Sequence, residues 1–389
     1  MSTLDGVDLK RFGVSPERGF LPSPDPLVAL PERFEPWETV ASELAGLRLA
    51  GALGPTLESL PPFGVTSLAG EAEFRRAMLL LSFLGHAWVF GQGAPVARIP
   101  AKLAGPWCSV ARELGRPPVL SYASYALENW RRLDPAGPIA LANLSILQGF
   151  GGGQDEAWFI TIHVAIEARS APLLRALGPA QRAARDGDAR ALEAHLDTIG
   201  DALECITATL SRMPEHCDPY IYFQRVRPWI HGWKDHPALP EGVIYEGQWQ
   251  DRPQRFRGET GAQSSIVPAL DSALGVSHGD DPLRAYLAEM RDYMPPRHRA
   301  FIEAIEAGSS VRAAVREGAQ GSPSLRESYD RCLQWLERFR SVHLEFAHRY
   351  IFAQSRAASA NPSDRGTGGT PFLRYLEKHR DETARTRRS

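Results

Sequence analysis

Apolar residues recur along most of this chain every three or four positions, the interval that gathers them on one face of an α-helix. Val40, Leu44 and Leu47 start the pattern just after Trp37, and a strongly apolar helix is predicted over 72–91. Further helices are predicted over 119–133, stopping short of Pro135, and over 155–174, where opening acidic residues suit the positive end of a helix dipole. Over 189–213, Leu192, His195, Leu196, Ile199 and Leu203 keep a 3.6-residue rhythm. The pattern resumes over 282–293, 296–307 and 324–354, and a last helix is predicted over 371–382. Few segments alternate as a strand would, and there is no internal repeat. The pattern therefore predicts an all-α fold.

Interruptions of the pattern give the organisation. Residues 1–36 carry Pro16, Pro22, Pro24, Pro26, Pro31 and Pro36 and read as an extended arm. A break over 92–100 separates a small helical domain, 37–100, from a large one, 101–389. Between 228 and 265 the helical rhythm lapses among Gly232, Pro237, Pro240, Gly242, Gly247, Pro253, Gly258 and Gly261. An irregular connection of that length is usually functional. A second loop, 355–369, is small and polar.

Composition narrows the class. With 389 residues the chain is long enough for a core that encloses a cofactor. A net charge of −2 gives no global field for nucleic acid or an anionic membrane, and the basic stretch from Lys378 to Arg388 reads as a solvated tail. Cys108, Cys205, Cys217 and Cys332 form no CxxC or CxxCH, so neither a zinc knuckle nor covalent haem attachment is suggested. Their scatter fits reduced thiols, and the first residues lack a signal pattern, so a cytoplasmic location is expected. The most apolar run, 77–91, contains His86 and is too short to span a bilayer.

Three constellations carry candidate chemistry. On the predicted helix 324–354, Leu336, Phe339 with Arg340, His343, Phe346 with Ala347, and Tyr350 share a face. A neutral imidazole there suits an axial haem ligand, with Arg340 one turn before it as a cation for a propionate. A core histidine is the other reading. In the second, Phe159, His163 and Ile166 share a face, which fits an aromatic-substrate pocket or plain core. In the third, Arg227 lies at a helix end before Pro228, among Tyr222, Phe223 and Trp229. Such an arginine suits bidentate capture of a carboxylate, and equally a surface ion pair. The run Gly366-Thr367-Gly368-Gly369-Thr370 is not a P-loop, because no lysine follows, though its amides suit an anion. The chain has no GxSxG, HExxH or dinucleotide fingerprint.

Taken in order, several segments resemble the indoleamine 2,3-dioxygenase family, in the manner of its bacterial and fungal members. They are Ser15-Pro16-Glu17-Arg18-Gly19-Phe20-Leu21-Pro22, Pro117-Pro118-Val119-Leu120, Asp155-Glu156-Ala157-Trp158-Phe159 and Gly232-Trp233-Lys234. Val243-Ile244-Tyr245-Glu246-Gly247, Gly261-Ala262-Gln263-Ser264-Ser265, Tyr293-Met294-Pro295-Pro296-Arg297-His298-Arg299, the His343 helix and the Gly-Thr-Gly-Gly-Thr loop follow. The resemblance implies a two-domain helical protein with haem b between a small and a large domain. It implies insertion of both atoms of O2 across the indole C2–C3 bond of tryptophan, giving N-formylkynurenine, with an unidentified electron donor keeping the iron ferrous.

By the same resemblance His343 is the proximal iron ligand and Arg340 steadies a propionate. Arg227 binds the substrate carboxylate, Phe223 and Tyr222 form the aromatic wall, and Phe159 stacks on the indole. The Gly261-Ala262 segment passes close to the haem edge, with Thr367 and Gly368 near the substrate amine. One departure stands out: His163 falls where many members carry a small hydroxyl residue, unless the register shifts by two and places Thr161 there. A distal imidazole is able to bond bound O2 or to accept from the indole N–H. It leaves open a haem monooxygenase acting on an aromatic substrate. A non-catalytic O2-binding haem protein is the remaining alternative, against which Arg227 argues.

Overall fold

Helices dominate the computed structural model, which describes residues 8–279, 282–308, 311–318, 322–355, 367 and 372–388. In chain order the longer ones are α1 (Glu35–Ser42), α2 (Gly70–Phe90), α3 (Ala101–Glu113), α4 (Gly153–Arg169), α5 (Ala171–Asp186) and α6 (Ala189–Ser211). They continue with α7 (Ile266–Leu274), α8 (Pro282–Met290), α9 (Pro296–Glu306), α10 (Val311–Gly318), α11 (Pro323–Ala347) and α12 (Phe372–Arg388). The strands among the described residues are two pairs of two residues: Arg98–Ile99 parallel to Ile244–Tyr245, and Arg131–Arg132 antiparallel to Leu144–Ser145. The all-α expectation holds.

The long helices α5, α6, α11 and α12 stack as the scaffold for the site, with α6 and α11 running in the same direction and α12 opposite to α11. Leu192, Leu196, Ile199 and Leu203 are buried on α6, as their rhythm requires. Against them α11 sets Cys332, Leu333 and Leu336, also buried. Polar bonds fix the register of the pair: Ser328 Oγ donates to Asp197 at 2.7 Å, and Cys332 Sγ lies 3.1 Å from the Leu196 carbonyl. The arm is extended, as its prolines demand, but it is not loose. Phe12 and Phe20 bury their rings against Phe301 of α9, and Phe20 also meets His298.

Helices α3 and α10 lie where no helix is predicted and α12 runs on to Arg388, while three further departures have a clear local cause. The stretch 119–133 is not one helix, because tertiary partners take its backbone. The Leu120 amide donates to His86 Nε2 and the Tyr122 amide to Gln263 Oε1, and Asn129 bonds the main chain at Leu147 and Gln148. Only a wide five-residue turn, Ala123–Leu127, remains helical in character. The predicted helix 155–174 is two, α4 and α5, parted at Ser170, whose hydroxyl caps back to the Glu167 carbonyl, with Pro172 opening the second. Helix α11 ends at Ala347, and a wide π-type turn, His348–Phe352, continues it.

Candidate functional site

Three wide π-type turns occur among the described residues, Ala123–Leu127, Tyr222–Val226 and His348–Phe352, and they face one region. Such turns insert an extra residue in a helical path and often mark functional sites. Here they deliver aromatic rings to the same place. Phe159 of α4 lies 4.8 Å from the Tyr222 ring, 6.2 Å from Tyr125 and 4.6 Å from His163, and Tyr222 meets Tyr350 at 5.8 Å. Tyr122, just before the first turn, sits edge-on to His163 at 5.8 Å.

His343 combines two properties that look contradictory. Its surface is exposed, yet burial depresses the imidazole to about 4, with the His163 ring as the second cause. Both follow when the ring lines an internal hollow: a water-sized probe reaches it, while protein encloses the space it faces. The ring is therefore neutral at ordinary pH, and neither nitrogen has a hydrogen-bond partner among the described residues. Gly261 backs it, where an added Cβ would fall 3.9 Å from Cε1. A neutral, unpartnered imidazole opening on enclosed space is the donor that a haem iron requires. Among the described residues no three metal-ligating side chains converge. A porphyrin asks the protein for a single axial ligand, so the residues present fit the group.

His163 approaches the same space from α4. Its Nδ1–H donates to the Phe159 carbonyl at 2.7 Å, which fixes the tautomer and leaves Nε2 as an acceptor. Burial lowers its pKa, so the ring stays neutral. Thr161, the other candidate, spends its hydroxyl on its own helix, donating to the Ala157 carbonyl at 2.9 Å. Beyond His163 on α4, Glu167 Oε1 accepts from Tyr122 Oη and Ser264 Oγ, both at 2.9 Å, and burial pushes this carboxyl up to about 7.

Arg227 is fully buried where the second π-type turn passes into a short 3₁₀ turn closed by Pro228, and its guanidinium lies 5.6 Å from the Phe223 ring centre. Gly261 opens a 3₁₀ turn whose Ala262 is partly buried, with its amide 3.5 Å from Thr260 Oγ1. Thr367 is held between two loop segments: its hydroxyl donates to the Glu259 carbonyl, and its carbonyl accepts from the Gly232 amide at 3.3 Å. Gly368 lies outside the described residues.

Arg340 has a different partner from the one sequence reasoning gave it. It does not present a free cation to a propionate. It is buried, and its Nη2 donates to both oxygens of Asp271 at 2.7 and 2.6 Å. Its Nη1 bonds the His379 carbonyl and the Thr383 hydroxyl, tying α11 to α7 and α12. A buried guanidinium needs a carboxylate, and Asp271 is on hand. Tyr122, Tyr125 and Glu259 were missed. The tyrosines belong to a stretch read as an ordinary helix. Glu259 sits in the irregular connection, which had been flagged by length but gives no periodicity to place one side chain.

These features define an all-helical protein with an aromatic pocket lined by two neutral histidines, His163 and His343. The family model for indoleamine 2,3-dioxygenase matches residues 8–386. Relatives include indoleamine 2,3-dioxygenase 1 of Rattus norvegicus, 35% identical over 96% of this chain and 94% of its own length. A 6-hydroxytryptophan 2,3-dioxygenase of Fusarium equiseti is 35% identical over 97% of both chains, and an indoleamine 2,3-dioxygenase of Saccharomyces cerevisiae 30% identical over 97% and 93%. The chain belongs to the indoleamine 2,3-dioxygenase family. It is an oxidoreductase, a haem-dependent dioxygenase that cleaves an indole ring.

Proposed function

We propose that the substrate is L-tryptophan or a closely related indole amino acid, opened to the N-formylkynurenine product, and that His343 holds the haem iron. The observation that carries this reading is the convergence of Phe159, His163 and Tyr222 on the space in front of His343, with buried Arg227 on the turn that delivers Tyr222. Haem b bound at His343 supplies the ferrous iron at which O2 is activated. The remaining work belongs to the chain. Phe159 stacks on the indole, and Tyr222, in contact with the Phe159 ring, forms the aromatic wall with Phe223. Arg227 takes the carboxylate through a charge-assisted fork, whose strength depends on excluding water. His163 Nε2 accepts the indole N–H and so fixes which ring edge faces the oxygen. Gly261 and Ala262 keep the backbone low beside the haem edge. Thr367 lies at the substrate's amino-acid end, and Gly368 is assigned to the same end by the family resemblance alone.

Residues 37–100 form the small part and 101–389 the large haem-binding part of this reading. Four free cysteines are consistent with a reducing, cytoplasmic setting, where a cellular electron donor keeps the iron ferrous. No helix among the described residues is long and apolar enough to cross a membrane.

The test is turnover of L-tryptophan by the haem-loaded, reduced enzyme under isotopically labelled O2. The product should carry both labelled atoms in a cleaved ring. A product gaining one atom with the ring intact would instead support the monooxygenase reading, and a stable oxygen complex untouched by tryptophan would deny catalysis.

A further inference from the structure

The described residues contain six buried acids, and five of them have conspicuous partners. Glu128 pairs with Arg116, and Asp271 with Arg340. Glu156 accepts the amides of Phe150 and Gly152, Glu167 accepts from Tyr122 and Ser264, and Glu382 meets His278. Glu259 is the exception. It is 3% exposed, and its carboxylate has neither a hydrogen-bond partner nor a cation among the described residues. Its oxygens are not among the sealed, unsatisfied polar atoms, so they open onto free space. Leaving a buried acid in that condition is costly, and folding alone gives no reason to keep it.

The space it faces is the one already described. Glu259 is close enough to Tyr122, Tyr125 and Tyr222 to raise the pKa of all three phenols. Tyr222 also feels Arg227, with the opposite sign. A buried acid, ready to ionise against an incoming cation, and a buried cation thus face the same phenol beside the indole wall. That is the charge pattern complementary to the ammonium and carboxylate of an α-amino acid. The segment is held firmly. The Glu259 amide donates to the Ile230 carbonyl at 3.1 Å, and its carbonyl accepts from Thr367. Burial pushes the carboxyl up to about 8, the response of an acid with no cation beside it.

We propose that Glu259 is the specificity residue for the substrate's side-chain amine, pairing with the ammonium while Arg227 holds the carboxylate, so that the pocket selects zwitterionic indoles. This rests on the indole reading above and assigns a recognition role within it. An ammonium in this position lets the buried acid ionise and form a charge-assisted pair, which indoles lacking the amine forgo.

The experiment titrates haem-loaded wild type, Glu259→Gln and Glu259→Ala with L-tryptophan, tryptamine and indole-3-propionate, following the haem absorption. In both variants L-tryptophan and tryptamine should bind about ten- to a hundredfold more weakly, the worth of a charge-assisted bond, while indole-3-propionate binds as well as before or better. A variant that binds L-tryptophan like wild type, or loses all three ligands in equal proportion, overturns the assignment. Wild-type enzyme that binds none of the three denies the indole reading itself, and this assignment with it.

Discussion

At the scale of single residues the pocket works by fixing protonation and charge. His163 gives its one N–H to the Phe159 carbonyl and so presents only a lone pair forwards. His343 stays neutral because burial forbids the charge, and a neutral imidazole binds metal. Arg227 is a buried cation on a turn that holds it beside Phe223. Lysine keeps that charge but lacks the planar fork. Arg227→Lys should therefore raise the KM for L-tryptophan by about tenfold or more. Tryptamine, which has no carboxylate, should be handled almost as before. Steady-state kinetics with both compounds check this, and an equal loss for both would show a damaged pocket rather than a lost clamp. Residue-scale signals were partly legible beforehand. His343, Phe159 and Arg227 stood at interpretable places on helices, whereas Glu259 had no helical register to betray it. The partner of Arg340 was hidden because Asp271 is far away in sequence and meets it only through the fold.

At the scale of elements, the site depends on turns that a regular helix would not make. Periodicity found α2, α6, α8 and α9 to within a few residues, but it gave no helix at α3 and only the first turn of α5, and it cannot register an inserted residue, so the π-type turns are invisible to it. It also read 119–133 as helix, since propensity says nothing of amides claimed by His86 and Gln263. The irregular connection was recognised as such, and its course depends on two glycines in backbone contact. A Cβ on Gly258 would stand 2.1 Å from the Gly232 nitrogen and 2.3 Å from the Ile230 carbonyl oxygen. Only glycine permits that approach. Gly258→Ala should force the two segments apart just before Glu259, lowering the melting temperature by about 5 °C or more and weakening tryptophan binding. Thermal unfolding of the haem-loaded variant tests it; an unchanged melting temperature would mean that the loop adapts without strain.

At the scale of the whole molecule, stability should peak near pH 6.5. Several buried histidines are held neutral, among them His86 and His343 at about 4 and His298 and His379 at about 3, burial being the main cause in each. Between those values and 6.5 the unfolded chain binds more protons than the folded one, so stability falls with falling pH. Each histidine contributes about 1.4 kcal/mol per pH unit to that slope. Glu167 and Glu259, raised to about 7 and about 8, act the other way. They stay protonated in the fold while ionised in the unfolded chain, so their stabilisation is lost as pH rises from the ordinary carboxylate range through those values. From pH 4.5 to 6.5 these histidines outnumber the two glutamates; above 6.5 the glutamate slope prevails. Urea unfolding midpoints between pH 4 and 9 should trace that maximum, and a steady rise with pH would contradict it.

The claim beneath all of this is that His343 is the protein's bond to haem iron. The most direct measurement is the visible spectrum and haem content of the purified, reconstituted wild type beside His343→Ala. Wild type should carry about one haem per chain with an intense Soret band, as a single axial histidine implies, and the variant should lose the band while keeping its helical circular dichroism. A variant that retains stoichiometric haem with an unaltered spectrum would contradict the account.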